Sequence, residues 1–281
     1  MMPGIGAGLV RAFAACLLAG ATSVVHGAGR DDFPTCYGVL GGMVQEQPAK
    51  RELFVVIDQT LEFNVDLKRH VHAKVHEYLQ PGDRVSVLTF SAYAEGRYAQ
   101  MPLTGKLDHP LDEDTRFETG KSDLRKFDRC MERQQAFVRA KVDETLKAAF
   151  AEASTDLPKT ELMGSLFNFG HGVISASQTP EKTVLIVSDM MENSSAVSFY
   201  RNGGISNLNV DAALKQTEEA GLFSNLGGAT VNVIGAGISG NDGYLSQTAM
   251  RKMQSFWRDY FEQSEARLAG WGQPELFGSI Q

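Results

Sequence analysis

Leu53-Phe54-Val55-Val56-Ile57-Asp58-Gln59-Thr60-Leu61-Glu62 decides the fold. The run is apolar without a break and then turns abruptly into an acid, a hydroxyl and a second acid. A short run of this kind reads as a strand buried on both faces. Such strands belong to parallel sheets with helices on either side. Polar residues after the strand stand at its carboxyl end, where open α/β sheets bind ligands. Asp58, Thr60 and Glu62 fall at alternate positions around one tight turn. Their oxygens are of the hard kind that Mg2+ and Ca2+ prefer.

Working outward, Leu67, Val71, Val75, Tyr78 and Leu79 recur at helical spacing and predict a helix over 61–79. Gln80-Pro81-Gly82-Asp83 stops it and turns the chain. A second strand follows over 84–91, then a short edge strand over 97–103. Residues 105–126, with Asp112-Glu113-Asp114 at their centre, read as an exposed charged excursion. Helices are expected over 127–153 and 161–175. Thr183-Val184-Leu185-Ile186-Val187-Ser188 repeats the pattern of the first strand and is likewise followed by an acid, Asp189. A long polar loop over 190–208, a helix over 211–222, a last strand over 230–235 and a closing helix over 246–268 complete the domain. Strands alternating with helices predict a doubly wound, mostly parallel sheet flanked by helices, with one antiparallel edge strand.

Thr160, which opens a helix, joins Asp58, Thr60, Glu62 and Asp189 as a candidate. The carboxyl ends of parallel strands converge on one rim, so these groups can meet. Hydroxyls, carboxylates and water suit an octahedral Mg2+, with Mn2+ or Ca2+ as substitutes. A bland alternative is that Asp58 or Thr60 caps the first helix and that Glu62 favours its positive end.

At these residues the chain resembles the von Willebrand factor A (vWA) domain. The resemblance covers roughly 51–268 and is carried by the strand into Asp58-Gln59-Thr60-Leu61-Glu62, by Pro81-Gly82-Asp83-Arg84-Val85, by Lys159-Thr160-Glu161-Leu162 and by Val187-Ser188-Asp189. The family's metal-ion-dependent adhesion site uses an Asp-x-Ser-x-Ser loop with a distant Thr and a distant Asp. The resemblance therefore implies that Asp58, Thr60, Thr160 and Asp189 hold a metal that captures a carboxylate of a partner protein. Glu62 stands where the family has a second Ser. Its charge would lessen the metal's need for that carboxylate, or it points away and the site has decayed.

The chain has 281 residues and a formal charge of −7. No basic excess is present to neutralise phosphates, which argues against nucleic acid as a partner. Residues 1–27, with Arg11 before the apolar run 12–25, read as a secretory signal; the alternative is an uncleaved anchor. No other stretch approaches the roughly 20 apolar residues of a membrane span. Residues 28–50 form an irregular arm, 51–269 the domain and 270–281 a tail. In an exported chain, Cys36 and Cys130 imply one disulfide, with two buried thiols as the alternative. The expected location is a bacterial periplasm or outside the cell.

Other motifs carry less. Gly235-Ala236-Gly237-Ile238-Ser239-Gly240 is a formal dinucleotide fingerprint, but no second βαβ strand with a ribose-binding acid follows it. His72 and His76 are an i, i+4 pair off the apolar stripe and, with His70, read as a solvated face. Asp112-Glu113-Asp114 lacks the spacing of a calcium loop. Ser165 and Ser188 have no nucleophile-elbow setting, and His171 reads as structural. Met190, Met191, Phe199 and Tyr200 either contact a partner or pack their loop onto the domain. No catalytic set emerges. The expected function is protein binding by an exported vWA-type module; a metal-free scaffold subunit of an envelope or secretion assembly is the rival, and a nucleotide-dependent enzyme the more remote one.

Overall fold

The computed structural model describes residues 30–91, 99–154, 161–201, 204–239 and 243–280. The expected signal over 1–27 and the candidate Thr160 lie outside them. Among the described residues are eight strands: β1 (Arg51–Asp58), β2 (Arg84–Phe90), β3 (Ala99–Lys106), β4 (Glu181–Val187), β5 (Ala229–Ile234), β6 (Ile238–Ser239), β7 (Gly243–Tyr244) and β8 (Ala266–Trp271). Six of them form one sheet in the order β3-β2-β1-β4-β5-β8, and β6 and β7 form a small hairpin. All pairs in the large sheet are parallel except β2 with β3. The helices are α1 (Val65–Tyr78), α2 (Glu113–Glu118), α3 (Lys121–Ala151), α4 (Leu162–Phe169), α5 (Val210–Glu219) and α6 (Gln247–Gln263).

β1 is the axis of the molecule because its side chains fill two cores. Leu53, Val55 and Ile57 belong to the cluster that buries α1 and α3. Phe54 and Val56 belong to the cluster that buries α4, α5 and α6. All five are 0% exposed, as an unbroken apolar strand covered on both faces requires. Truncating Phe54 to Ala would cost about 3–5 kcal/mol by the usual penalty for emptying an aromatic site. After β1 the chain winds outward to β2 and β3, then returns to β4 on β1's other side. The strand order thus reverses between β1 and β4, and the crevice that binds ligands in such sheets opens at their carboxyl ends.

Local chemistry explains the junctions. Asp83 closes the turn after α1 by accepting from Gln80 N at 2.8 Å and from Arg51 Nε at 2.8 Å. Arg51 also lies over the Tyr78 ring, 4.5 Å from its centroid. The arm packs closely as well. Asp32 N donates to Thr104 O at 2.8 Å, Asp32 Oδ2 accepts from Thr104 N, and Arg30 reaches the carbonyls of Met101 and Pro102. Residues 30–32 therefore lie along the outer edge of β3. Further on, Cys36 and Cys130 form a disulfide that ties the arm to α3, within a cluster containing Tyr37, Leu40, Leu111 and Phe127.

Several expectations are corrected. Neither Asp58 nor Thr60 caps α1; Asn64 does, accepting from Leu67 N at 2.9 Å, so the helix starts four residues later than its apolar pattern suggested. Residues 105–126 are not an exposed excursion throughout. Leu107, Asp108 and Leu111 are buried, and Asp112 opens α2 as its N-cap, accepting from Thr115 N at 2.8 Å. The strand over 229–234 is not the last. α6 ends at Gln263 and β8 follows, crossing the expected domain boundary. The tail then folds back, burying Leu276 and Ile280 against the α1 side of the core.

Candidate functional site

Asp58 ends β1 and is fully buried. Its Oδ1 accepts from Thr60 N at 2.9 Å and from Thr60 Oγ1 at 2.6 Å. Its Oδ2 accepts from Ser188 Oγ at 2.8 Å. Gln59 anchors the turn between them: its amide donates to Phe90 O, its side chain to Ala149 O, and its carbonyl accepts from Ser154 N. The loop after β1 is thereby fixed to β2 and to the carboxyl end of α3.

Asp189 follows β4 and is partly buried, with Oδ1 accepting from Met191 N at 2.9 Å. Its carbonyl accepts from Gly237 N at 2.9 Å, which joins the β4 and β5 ends of the rim. Burial raises the pKa of Asp58 against the pull of its hydrogen bonds. Burial and then the charge of Asp58 raise that of Asp189. The hydrogen bonds to the two carboxyls come from hydroxyls and amides, and the charge of Asp58 acts on Asp189. Two acids, one buried and one partly buried, that repel one another among hydroxyl oxygens are a donor set that fits a divalent cation. Glu62 is exposed.

The loop after Asp189 is packed down. Met190, Met191, Val197 and Phe199 are buried, and Trp257 Nε1 donates to Met190 O at 2.9 Å. Tyr200, by contrast, has 57% of its surface exposed. Its hydroxyl still feels the site: burial, then Asp189 and Asp58, push its pKa up to about 12. Glu192, wholly buried, accepts from Met163 N at 2.9 Å and so ties this loop to the start of α4.

Sequence reasoning missed Ser188 as a partner of Asp58, because a lone Ser ending an apolar run looks like part of the strand. It also misjudged the histidines. His70 Nε2 accepts from Leu276 N at 3.1 Å, and His72 and His76 both bond Asp143 on α3, so this is a half-buried junction and not a solvated face. Over its described residues, 235–239, the glycine motif does not open a helix. Gly237, at φ +75°, precedes the β6–β7 hairpin, and Gly235, at φ +99°, passes 3.1 Å from Ser188 O when given a Cβ.

No known family profile and no curated protein matches the chain. Solved structures similar in outline include an aerotolerance-related membrane protein from Bacteroides fragilis, at 13% identity over 79% of this chain and 92% of that one, with a TM-score of 0.35. Another is the pilus adhesin SpaC from Lactobacillus rhamnosus GG, at 14% identity over 79% of this chain, with a TM-score of 0.41. The chain spans 28% of the adhesin's length. Likeness at this level assigns neither a family nor a function. Among the described residues, no helix is long and apolar enough to cross a membrane.

Proposed function

We propose that the chain is an exported protein-binding module of vWA type, not an enzyme, whose Asp58–Asp189 pair holds a divalent cation and offers it to a carboxylate of a partner protein. The observation that carries this reading is the pair itself: two carboxyls at the switch point of the sheet, one of them held by Thr60 and Ser188. Mg2+ is the expected ion, with Mn2+ or Ca2+ as substitutes, and Thr160 would contribute its hydroxyl as the vWA resemblance implies. The ion would supply a Lewis-acidic point on the rim. Glu62 adds charge nearby, and Tyr200 gives the partner an exposed aromatic beside the site, the kind of residue enriched at interfaces. Export is supported by the apolar segment before residue 27 and by the Cys36–Cys130 disulfide, since disulfides persist in oxidising compartments.

A second reading is a metal-free scaffold subunit. It is favoured by the hydrogen bonds from Thr60 and Ser188, which satisfy both oxygens of Asp58 without any ion. The deciding experiment follows thermal unfolding of chelator-stripped protein as Mg2+, Mn2+ or Ca2+ is added, with Asp58→Ala and Asp189→Asn alongside. A cation that binds only the folded state stabilises it by about 2.7 kcal/mol at a hundredfold excess over its Kd. A rise in Tm lost in both variants supports the metal site. An unchanged Tm with every ion leaves the scaffold reading.

A further inference from the structure

Away from the Asp58 rim, α1 and α3 bring together three groups that ligate metals. His72 and His76 lie one turn apart on one face of α1, the spacing that stacks two side chains. Asp143 of α3 faces both. Its Oδ1 is 2.6 Å from His72 Nδ1 and 2.9 Å from His76 Nε2, and the three ligand atoms lie within 4.8 Å of one another.

We propose that His72, His76 and Asp143 form a binding site for a borderline transition-metal ion, zinc in the first instance. Three observations support it. The first is chemical. Two imidazoles and one carboxylate suit zinc, copper or nickel, whereas the all-oxygen Asp58 rim suits magnesium or calcium. Three protein ligands with a fourth position left for water is a common zinc arrangement.

The second is geometric. Zinc–nitrogen and zinc–oxygen distances near 2.1 Å place tetrahedral ligand atoms about 3.4 Å apart. The Asp143 contacts need to open by less than about 1 Å to admit the ion, and both helices supplying the ligands are packed against the sheet. The side chains are 17%, 25% and 36% exposed for His72, His76 and Asp143, so the ion and its water can reach them.

The third is the state of the cluster without a metal. One carboxylate oxygen serves both rings. Burial opposes ionisation of Asp143, but the His72 and His76 bonds prevail and leave its pKa below the usual value, so it stands ready as an anionic ligand. The other nitrogen of His76, Nδ1, is buried with no hydrogen-bond partner. The ionised Asp143 carboxylate accepts from Nε2, so Nδ1 holds the ring's free lone pair, and a cation bound at Nε2 would shift that proton to Nδ1. An ion there would clamp α1, which follows the Asp58 turn, to α3.

The test uses the full chain without a histidine tag, stripped of metal and titrated with Zn2+ against a chromophoric chelator in excess Mg2+. The expected result is one Zn2+ per chain, retained in Asp58→Ala. His76→Gln and Asp143→Asn should each weaken it at least about tenfold, the lower end of losses seen even for groups that only support a ligand. Co2+ should give the visible absorption of a four-coordinate site in the parent protein and lose it in the same variants. Circular dichroism checks that each variant folds, and His72→Gln replaces either one that does not. The proposal is overturned by the lack of stoichiometric zinc, or by zinc affinity and cobalt spectra unchanged in the folded variants.

Discussion

Ser188 donates its hydroxyl proton to Asp58 Oδ2 at 2.8 Å, across the junction of β4 and β1. Ser188 Oγ in turn accepts from Met190 N at 3.0 Å. Met190 has φ 63°, a left-handed conformation that costs a side-chain-bearing residue energy unless its surroundings hold it. One hydroxyl thus steadies both the acid and the turn that carries its neighbour.

Replacing Ser188 with Ala should leave a buried carboxyl oxygen and a buried amide unpaired. The expected loss is about 1–3 kcal/mol, the usual penalty for orphaned polar groups, read as a lower midpoint in urea unfolding. A midpoint equal to the parent's would mean that Thr60 alone secures Asp58.

Glu192 sets a pH dependence. Burial raises its pKa from 4.5 to about 8, against the pull of the Met163 amide. Between those values the folded chain holds a proton that the unfolded chain has released. Its contribution to stability is therefore fully present below pH 4.5 and is lost as pH rises towards 8. The slope approaches about 1.4 kcal/mol per pH unit. Glu192→Gln keeps an acceptor for Met163 N and should flatten this part of the stability curve. An identical slope in the variant would remove Glu192 as its source.

Reduction of the Cys36–Cys130 bond opens a link between residues 94 positions apart. On the chain-entropy view a loop near 100 residues contributes about 4.7 kcal/mol, and losses of 2–5 kcal/mol are usual. The double Cys→Ser variant should unfold at a clearly lower urea concentration. If it matched the oxidised parent, the packing of Tyr37, Leu40 and Phe127 would be sufficient on its own.

At Gly237, a Cβ would lie 2.1 Å from Met250 Cε, and φ is +75°. Gly237→Ala should therefore destabilise by about 1–2 kcal/mol, the cost of a left-handed side-chain-bearing residue. NAD should change the Tm of neither the parent nor the variant. Protection by NAD that disappears in the variant would revive the nucleotide reading of this motif.

How much the sequence disclosed follows the range of each signal. The buried strand 53–58 was legible because its character is local, as was the turn at Pro81-Gly82-Asp83. The sheet class followed from strands alternating with helices. β8 was not legible: Ala266-Arg267-Leu268-Ala269-Gly270-Trp271 is short, holds two alanines and a glycine with little strand preference, and closely follows an amphipathic helix, so its periodicity merged with that of α6. At the rim, Asp58 and Asp189 were readable as acids ending apolar strands, whereas the bond to Ser188 needed the register of β1 against β4. The partner of the His72–His76 pair lies 67 residues beyond His76 and depends on how α1 meets α3. No local pattern encodes that crossing.

The arm on β3 bears on assembly. A sheet can be extended by any chain that pairs with an open edge strand. Here residues 30–32 already occupy part of that place along β3, with Asp32 N bonded to Thr104 O. A neighbouring molecule would have to displace the protein's own backbone to add on at this side. Because Cys36, four residues further along, is bonded to Cys130, the redox state of the surroundings controls how readily that plug comes away.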